Sequence, residues 1–248
     1  MGSRVSIMHR RPSNISTAVA LCLLLLAWGA PSQAAQSIQP KVRLVLVGDS
    51  IVVGWGKPLR KYLSDEVAVT NLAVGGRSSK SFMAEGSWQK VLALKSDYIL
   101  IEFGHNDQPG HGPQIITDPQ TSYRQYMTRY VEEALAAGIQ PVLVTSLSRR
   151  EWDANGKINS SLQPYVKVVA EIAAEKRVPL VDLHRRSIEL YEKLGRDKVN
   201  ELSNRQTKGN QPPVIDNSHL NDKGSELAAQ IVAEELKNAV PALAQYVK

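Results

Sequence analysis

The sequence predicts an α/β domain, with one parallel sheet and helices on both of its faces. Three observations predict it. Five short apolar runs rich in β-branched residues recur along the chain, bounded by glycine, proline or polar breaks. Segments with the apolar spacing of a helix separate these runs, the alternation that builds a parallel sheet. Several of the runs end in polar or glycine-rich turns, at the strand ends where open parallel sheets bind ligands.

In chain order, residues 1–34 read as a secretory signal peptide. Arg4, Arg10 and Arg11 give a basic start, Ala18 to Trp28 an apolar run, and Ser32-Gln33-Ala34 a small-residue cleavage site. The run falls short of the roughly 20 residues that span a bilayer. The expectation is a secreted or periplasmic protein without stable membrane insertion, with residues 35–248 as its one domain. The only cysteine, Cys22, lies in the leader, which excludes a Cys nucleophile, a Cys-ligated zinc site and disulfides from the mature chain. Of the formal +6 charge, about +3 remains without the leader's arginines, and no Lys/Arg block is present. No nucleic-acid partner is expected.

Val42 to Val47 reads as a buried strand ended by Gly48. Trp55 to Leu63 has helical spacing, Val67 to Leu72 reads as a second strand, and Trp88 to Leu94 as a short helix. Tyr98 to Phe103 is a third strand, followed by a Gly/Pro/His-rich loop over 104–120. Tyr123 to Ala137 is a helix closed by Gly138, and Pro141 to Thr145 a fourth strand. A polar loop with Trp152, Asn155 and Gly156 precedes a helix over Tyr165 to Lys176. Val178 to Leu183 is a fifth strand and Ile188 to Leu194 a helix. A polar loop runs from Gly195 to Ser218, and a last helix spans about Asp222 to Lys237.

Four segments carry candidate chemistry. Gly48-Asp49-Ser50 follows the first strand and offers a serine nucleophile, although Asp and Ser also cap helices at such turns. Asp216-Asn217-Ser218-His219 precedes the last helix. A hydroxyl needs a base to take its proton, and the base needs a third group to fix its tautomer. An Asp three residues before a His on a compact turn can supply both, but the same residues commonly sit on exposed loops. Gly104-His105-Asn106-Asp107 follows the third strand, where an Asn amide can donate to an oxyanion or simply end the strand in a turn. Gly75-Gly76-Arg77-Ser78-Ser79 follows the second strand, where glycine lets an N–H approach a ligand, or where Ser78 or Ser79 caps a helix. Their joint placement on one edge of one sheet makes them a set.

These segments resemble the conserved blocks of the SGNH hydrolases, also called the GDSL family. Ser50 is similar to the first-block serine, Gly76 to the second-block glycine, Asn106 to the third-block asparagine, and Asp216 with His219 to the last-block pair. The resemblance implies a flavodoxin-like three-layer α/β/α fold with a parallel five-stranded sheet. It also implies a Ser50–His219–Asp216 triad, an oxyanion hole from the Ser50 and Gly76 N–H groups and the Asn106 side chain, and no metal or other cofactor. The strings Gly75 to Phe82, Glu102 to Asp107 and Pro141 to Ser146 are most similar to rhamnogalacturonan acetylesterases. Gly54-Trp55-Gly56 departs from them, following Ser50 without the longer insert that related enzymes often carry.

The expected substrate is therefore an acetylated polysaccharide or oligosaccharide, most simply rhamnogalacturonan or pectin. Arg77, Arg149 and Arg150 are the candidates to pair with uronate carboxylates, and Trp152 to stack on a sugar. Trp88 and Tyr165 could join Trp152 in a sugar-stacking surface, although aromatics at these spacings are more often core; Glu102 is read as site support or a sheet edge, and His184 as a helix start. His105, Asp107 and His111 match no common zinc spacing. A lipid-directed esterase or thioesterase of the same family is the alternative enzyme, and a non-catalytic carbohydrate-binding protein the alternative outside enzymes.

Overall fold

The structure, a computed structural model, describes residues 40–207, 209 and 212–248. The expected leader, residues 1–34, lies outside them.

Along β1 (Val42–Gly48), Leu44 and Leu46 enter one apolar layer while Val45 and Val47 enter the other. A strand with both faces buried reads as a continuous apolar run, which is why this one was visible in the sequence. β1 pairs in parallel with β2 (Val67–Asn71) on one side and β3 (Tyr98–Glu102) on the other. β4 (Gln140–Val144) and the two-residue β5 (Leu180–Val181) complete a five-stranded sheet in the order β2-β1-β3-β4-β5. The expected parallel sheet of five strands is the one observed.

One face is covered by α1 (Ser50–Leu59), α6 (Leu183–Leu194) and α8 (Asp222–Ala239), through Ile51, Trp55, Leu183, Ala229 and Val232. The other carries α2 (Ser79–Ala84), α3 (Ser87–Ala93), α4 (Arg124–Ala136) and α5 (Gln163–Lys176), through Phe82, Trp88, Tyr130 and Val169. Each of the larger aliphatic side chains and Phe82 contributes about 1.5–3 kcal/mol relative to exposure. The chain leaves β1 to pair β2 on one side and returns to pair β3 on the other. The loops after β1 and β3 therefore diverge, and the crevice opens there.

The structure differs from the sequence reading at several element ends. α1 starts at Ser50, not Trp55, because Asp49 caps it: its Oδ1 accepts the Ile51 N–H at 2.8 Å. β5 stops at Val181 and α6 begins at Leu183 rather than Ile188, because Asp182 caps α6 through the Arg185 N–H. The 104–120 loop ends in a π-helical turn, Pro119–Tyr123, capped by Asp118. The segment expected to be a polar loop, 195–218, contains α7 (Arg196–Asn200) and most of a hairpin. β6 (Ser203–Gln206) pairs antiparallel with β7 (Val214–Leu220). β6 is largely polar and exposed, and β7 carries four polar residues in a row from Asp216 to His219, so no apolar alternation marks them.

Candidate active site

Ser50 is the first residue of α1, where β1 turns out of the sheet. Gly48 makes that turn possible, since a Cβ there would lie 2.4 Å from the Glu102 carbonyl oxygen. The Ser50 Oγ meets His219 Nε2 at 2.9 Å, and His219 Nδ1 meets Asp216 Oδ2 at 2.8 Å. Serine, imidazole and carboxylate thus form one continuous relay from residues 169 positions apart.

Asp216 and His219 lie within β7, not on a free loop as expected. The pairing of β7 with β6 shifts register between Ser203 and Arg205, and residues 216–219 occupy the longer side of that shift. The Asp216 Oδ1 accepts the N–H groups of Ser218 at 2.8 Å and His219 at 2.9 Å, a turn within the strand. Gln206 on β6 donates to the other oxygen. Burial opposes charge on Asp216, but the two N–H groups, the His219 ring and Gln206 outweigh it and hold the carboxyl down at about 2. An ionised Asp216 only accepts hydrogen bonds, so the His219 proton sits on Nδ1 and Nε2 is left to accept from the serine.

Gly75 packs against Ser50, its notional Cβ 3.6 Å from the serine Cβ, and Gly76 follows at φ +75°, a left-handed conformation suited to glycine. Asn106 lines the same cavity as Ser50 and His219, and donates one amide hydrogen to the Arg77 carbonyl at 3.1 Å. That bond orients the amide and leaves its second hydrogen free. Among the described residues the N–H groups of Ser50 and Gly76 donate to nothing. Ser78 caps α2 in a reciprocal box with Ser81, so this segment is both a helix start and a wall of the site.

A layer of buried acids lies underneath. Glu102 accepts from Trp55 Nε1 at 2.7 Å and from the Leu147 N–H at 2.8 Å, tying α1 to the loop after β4. It therefore supports the site from a central strand, not an edge. Burial, with the nearby Asp49 charge, pushes it up to about 8. Burial likewise raises Asp49 to about 7 and Asp107 to about 6. Asp107 accepts from the Ser79 N–H and hydroxyl and from Thr117 Oγ1. His105 Nδ1 stands 3.9 Å from Asp49 Oδ2, but burial holds the imidazole far below its ordinary pKa, so the pair is not ionic. Among the described residues no three His, Cys, Asp or Glu side chains gather as a metal site.

The proposed substrate contacts divide. Arg149 lines a polar cavity of about 290 Å³ with Ser50, Asn106, His111 and His219. Its guanidinium donates to Gln108 Oε1, the Ser218 hydroxyl and the His105 carbonyl, all neutral. Arg77 is half-buried, with its Nε on Glu85 at 3.0 Å. Arg150 does not face the cavity. It is 5% exposed and its guanidinium is bonded to backbone carbonyls of β7, which corrects the expectation of a uronate contact. Trp152 lines neither cavity at Ser50, and Arg196 stacks on its ring at 5.8 Å, so the expected sugar platform is covered. Trp88 and Tyr165 are core residues, and His184 begins α6. A second, smaller cavity of about 140 Å³ touches Ser50 and His219 and is walled by Val53, Trp55, Leu147 and Leu220. Sequence reasoning missed Gln206, whose polar strand gave no signal, and weighed His111 only as a metal ligand.

The GDSL-like Lipase/Acylhydrolase family matches residues 46–227. A rhamnogalacturonan acetylesterase of Bacillus subtilis is 35% identical over 212 residues, covering 79% of this chain and 90% of that protein. A rhamnogalacturonan acetylesterase of Emericella nidulans is 29% identical over 227 residues, covering 80% and 84%. An acetylxylan esterase of Geobacillus stearothermophilus has the same fold, with a TM-score of 0.60 at 19% identity over 81% of this chain and 96% of that one.

Proposed function

Because the chain belongs to the GDSL-like lipase/acylhydrolase family, and with it to the carboxylic ester hydrolases, we propose that it is an exported serine esterase that removes acetyl groups from plant cell-wall polysaccharide, with acetylated rhamnogalacturonan or pectin as substrate. The observation that carries the mechanism is the relay from Ser50 Oγ through His219 to Asp216, at 2.9 and 2.8 Å.

In this mechanism His219 Nε2 takes the Ser50 proton as Oγ attacks the ester carbonyl carbon. Ionised Asp216 stabilises the imidazolium that results. The carbonyl oxygen becomes an oxyanion that the Ser50 and Gly76 N–H groups and the free Asn106 amide hydrogen accommodate. Collapse breaks the bond to the sugar oxygen, which leaves with the proton from His219. Water then gives its proton to His219, attacks the acetyl-serine and releases acetate, restoring the Ser50 hydroxyl. No metal or other cofactor takes part.

The names of the relatives support an acetylated glycan. Arg149 supports an acidic one, as a cation in the polar cavity with no carboxylate partner among the described residues. The small size of the apolar cavity beside Ser50 supports a short acyl group. Acyl release from acetylated pectin, acetylated xylan and p-nitrophenyl acetate and octanoate tests the substrate. Acetyl should exceed octanoyl, and added salt should slow the pectic polymer more than p-nitrophenyl acetate, because screening acts on the Arg149 contact. Faster octanoyl turnover contradicts the acetylesterase reading, and equal salt responses contradict the uronate contact.

A further inference from the structure

We infer that Arg150 is a positioning residue that clamps the strand segment carrying Asp216 and His219. Its guanidinium donates to the carbonyl oxygens of Asp216 at 2.6 Å, Ser218 at 3.1 Å and His219 at 2.9 Å. Its own backbone N–H donates to the Asn217 carbonyl at 2.9 Å. One residue therefore binds every carbonyl from 216 to 219.

The location explains why such a clamp is needed. Residues 216–219 lie where the β6–β7 ladder shifts register, so their backbone acceptors lose regular partners from β6. Backbone carbonyls buried without partners are costly, and this segment is half-buried or deeper at three of its four positions. A planar guanidinium presents donors in a fixed fork and can serve several carbonyls at once, which an ammonium on a flexible stem cannot do with the same geometry. The group is itself held in place, 5% exposed, with the Tyr191 ring 5.9 Å beneath it. Arg150 lines neither cavity at Ser50.

The inference rests on the reading of Asp216 and His219 as the orienting and basic groups. If the clamp sets their position, its loss lets the imidazole drift from Ser50, and a displacement of about 1 Å at such a relay costs about 100-fold in turnover. Arg149 keeps its bonds to Gln108 and to the His105 carbonyl, which do not depend on the clamp, so the loss should fall on kcat more than on KM.

The test uses the folded protein with Arg150→Gln and Arg150→Lys, beside wild type and Ser50→Ala. The measurements are kcat and KM on p-nitrophenyl acetate and on acetylated pectin, the rate of fluorophosphonate labelling of Ser50, and thermal melting. The expected result is kcat lowered about 100-fold by Arg150→Gln on both substrates, with KM little changed. Labelling should slow in parallel, and Arg150→Lys should recover part of the loss. Normal kcat on p-nitrophenyl acetate with a raised KM on the polymer would make Arg150 a substrate contact and overturn the inference. If Arg150→Gln does not fold, Arg150→Lys decides, and failure of both to fold overturns it in favour of a purely structural role. Ser50→Ala judges the parent reading separately. Turnover by that variant sinks the serine mechanism, whereas an inactive Ser50→Ala beside a fully active Arg150→Gln sinks only the clamp.

Discussion

Ser50, His219 and Asp216 are held by hydrogen bonds rather than by apolar packing, and each bond gives a separate expectation. Replacing His219 with Ala leaves Ser50 without a base, so kcat should fall by orders of magnitude while the fold survives, because the side chain is 42% exposed. Asn106→Ala should cost about 100- to 1,000-fold in kcat with a smaller change in KM, since its free hydrogen matters where charge develops. A change in KM alone would mark Asn106 as a ground-state contact. Asp216, held at about 2, stays ionised at any working pH, so it should go on orienting the base under mildly acidic conditions. All of these residues could be singled out in the sequence, because Ser50 and Asn106 fell in short motifs beside glycine and His219 stood three residues after Asp216. Arg150 and Trp152 could not be placed. An arginine in a polar loop reads as exposed, and only the structure shows that its guanidinium bonds to carbonyls of a strand far along the chain.

At the scale of elements, legibility followed burial. The strands buried on both faces, β1, β3 and β4, were apparent from apolar runs, and their ends were placed within a residue or two. The β6–β7 hairpin was not, since its exposed positions carry Asn204, Arg205 and Gln206 with no alternation to read. The start of α1 was obscured by Gly54 and Gly56, weak helix formers that here allow close packing. A Cβ on Gly56 would lie 2.5 Å from Asn71 Nδ2 and 2.8 Å from Leu46 Cδ1. Gly56→Ala should therefore destabilise the protein by about 1–3 kcal/mol through overpacking, despite the better helix propensity of alanine. Denaturant titration measures it, and a stabilised variant would show that α1 can move off the sheet.

Across the whole molecule, the crevice between β1 and β3 combines a polar mouth with a floor of buried acids. Glu102, Asp49 and Asp107 are raised to about 8, 7 and 6, chiefly by burial. Groups with raised pKa values stabilise the fold fully at pH below their unfolded values, near 4, and lose that contribution as pH rises through the folded values. Asp216 works in the opposite sense, losing its contribution as pH falls towards 2. The melting temperature should accordingly be highest near pH 4 and decline from there to about pH 8. A melting temperature flat over that range would show that these acids carry charge in the folded state at no cost. The central claim, that Ser50 is activated by His219 and Asp216 to attack esters, is tested most directly by labelling with a fluorophosphonate and mapping the modified residue by peptide mass. A single adduct on Ser50 is expected, formed fast in wild type and almost abolished in His219→Ala. No adduct, or one on another serine at a rate indifferent to His219, would contradict it.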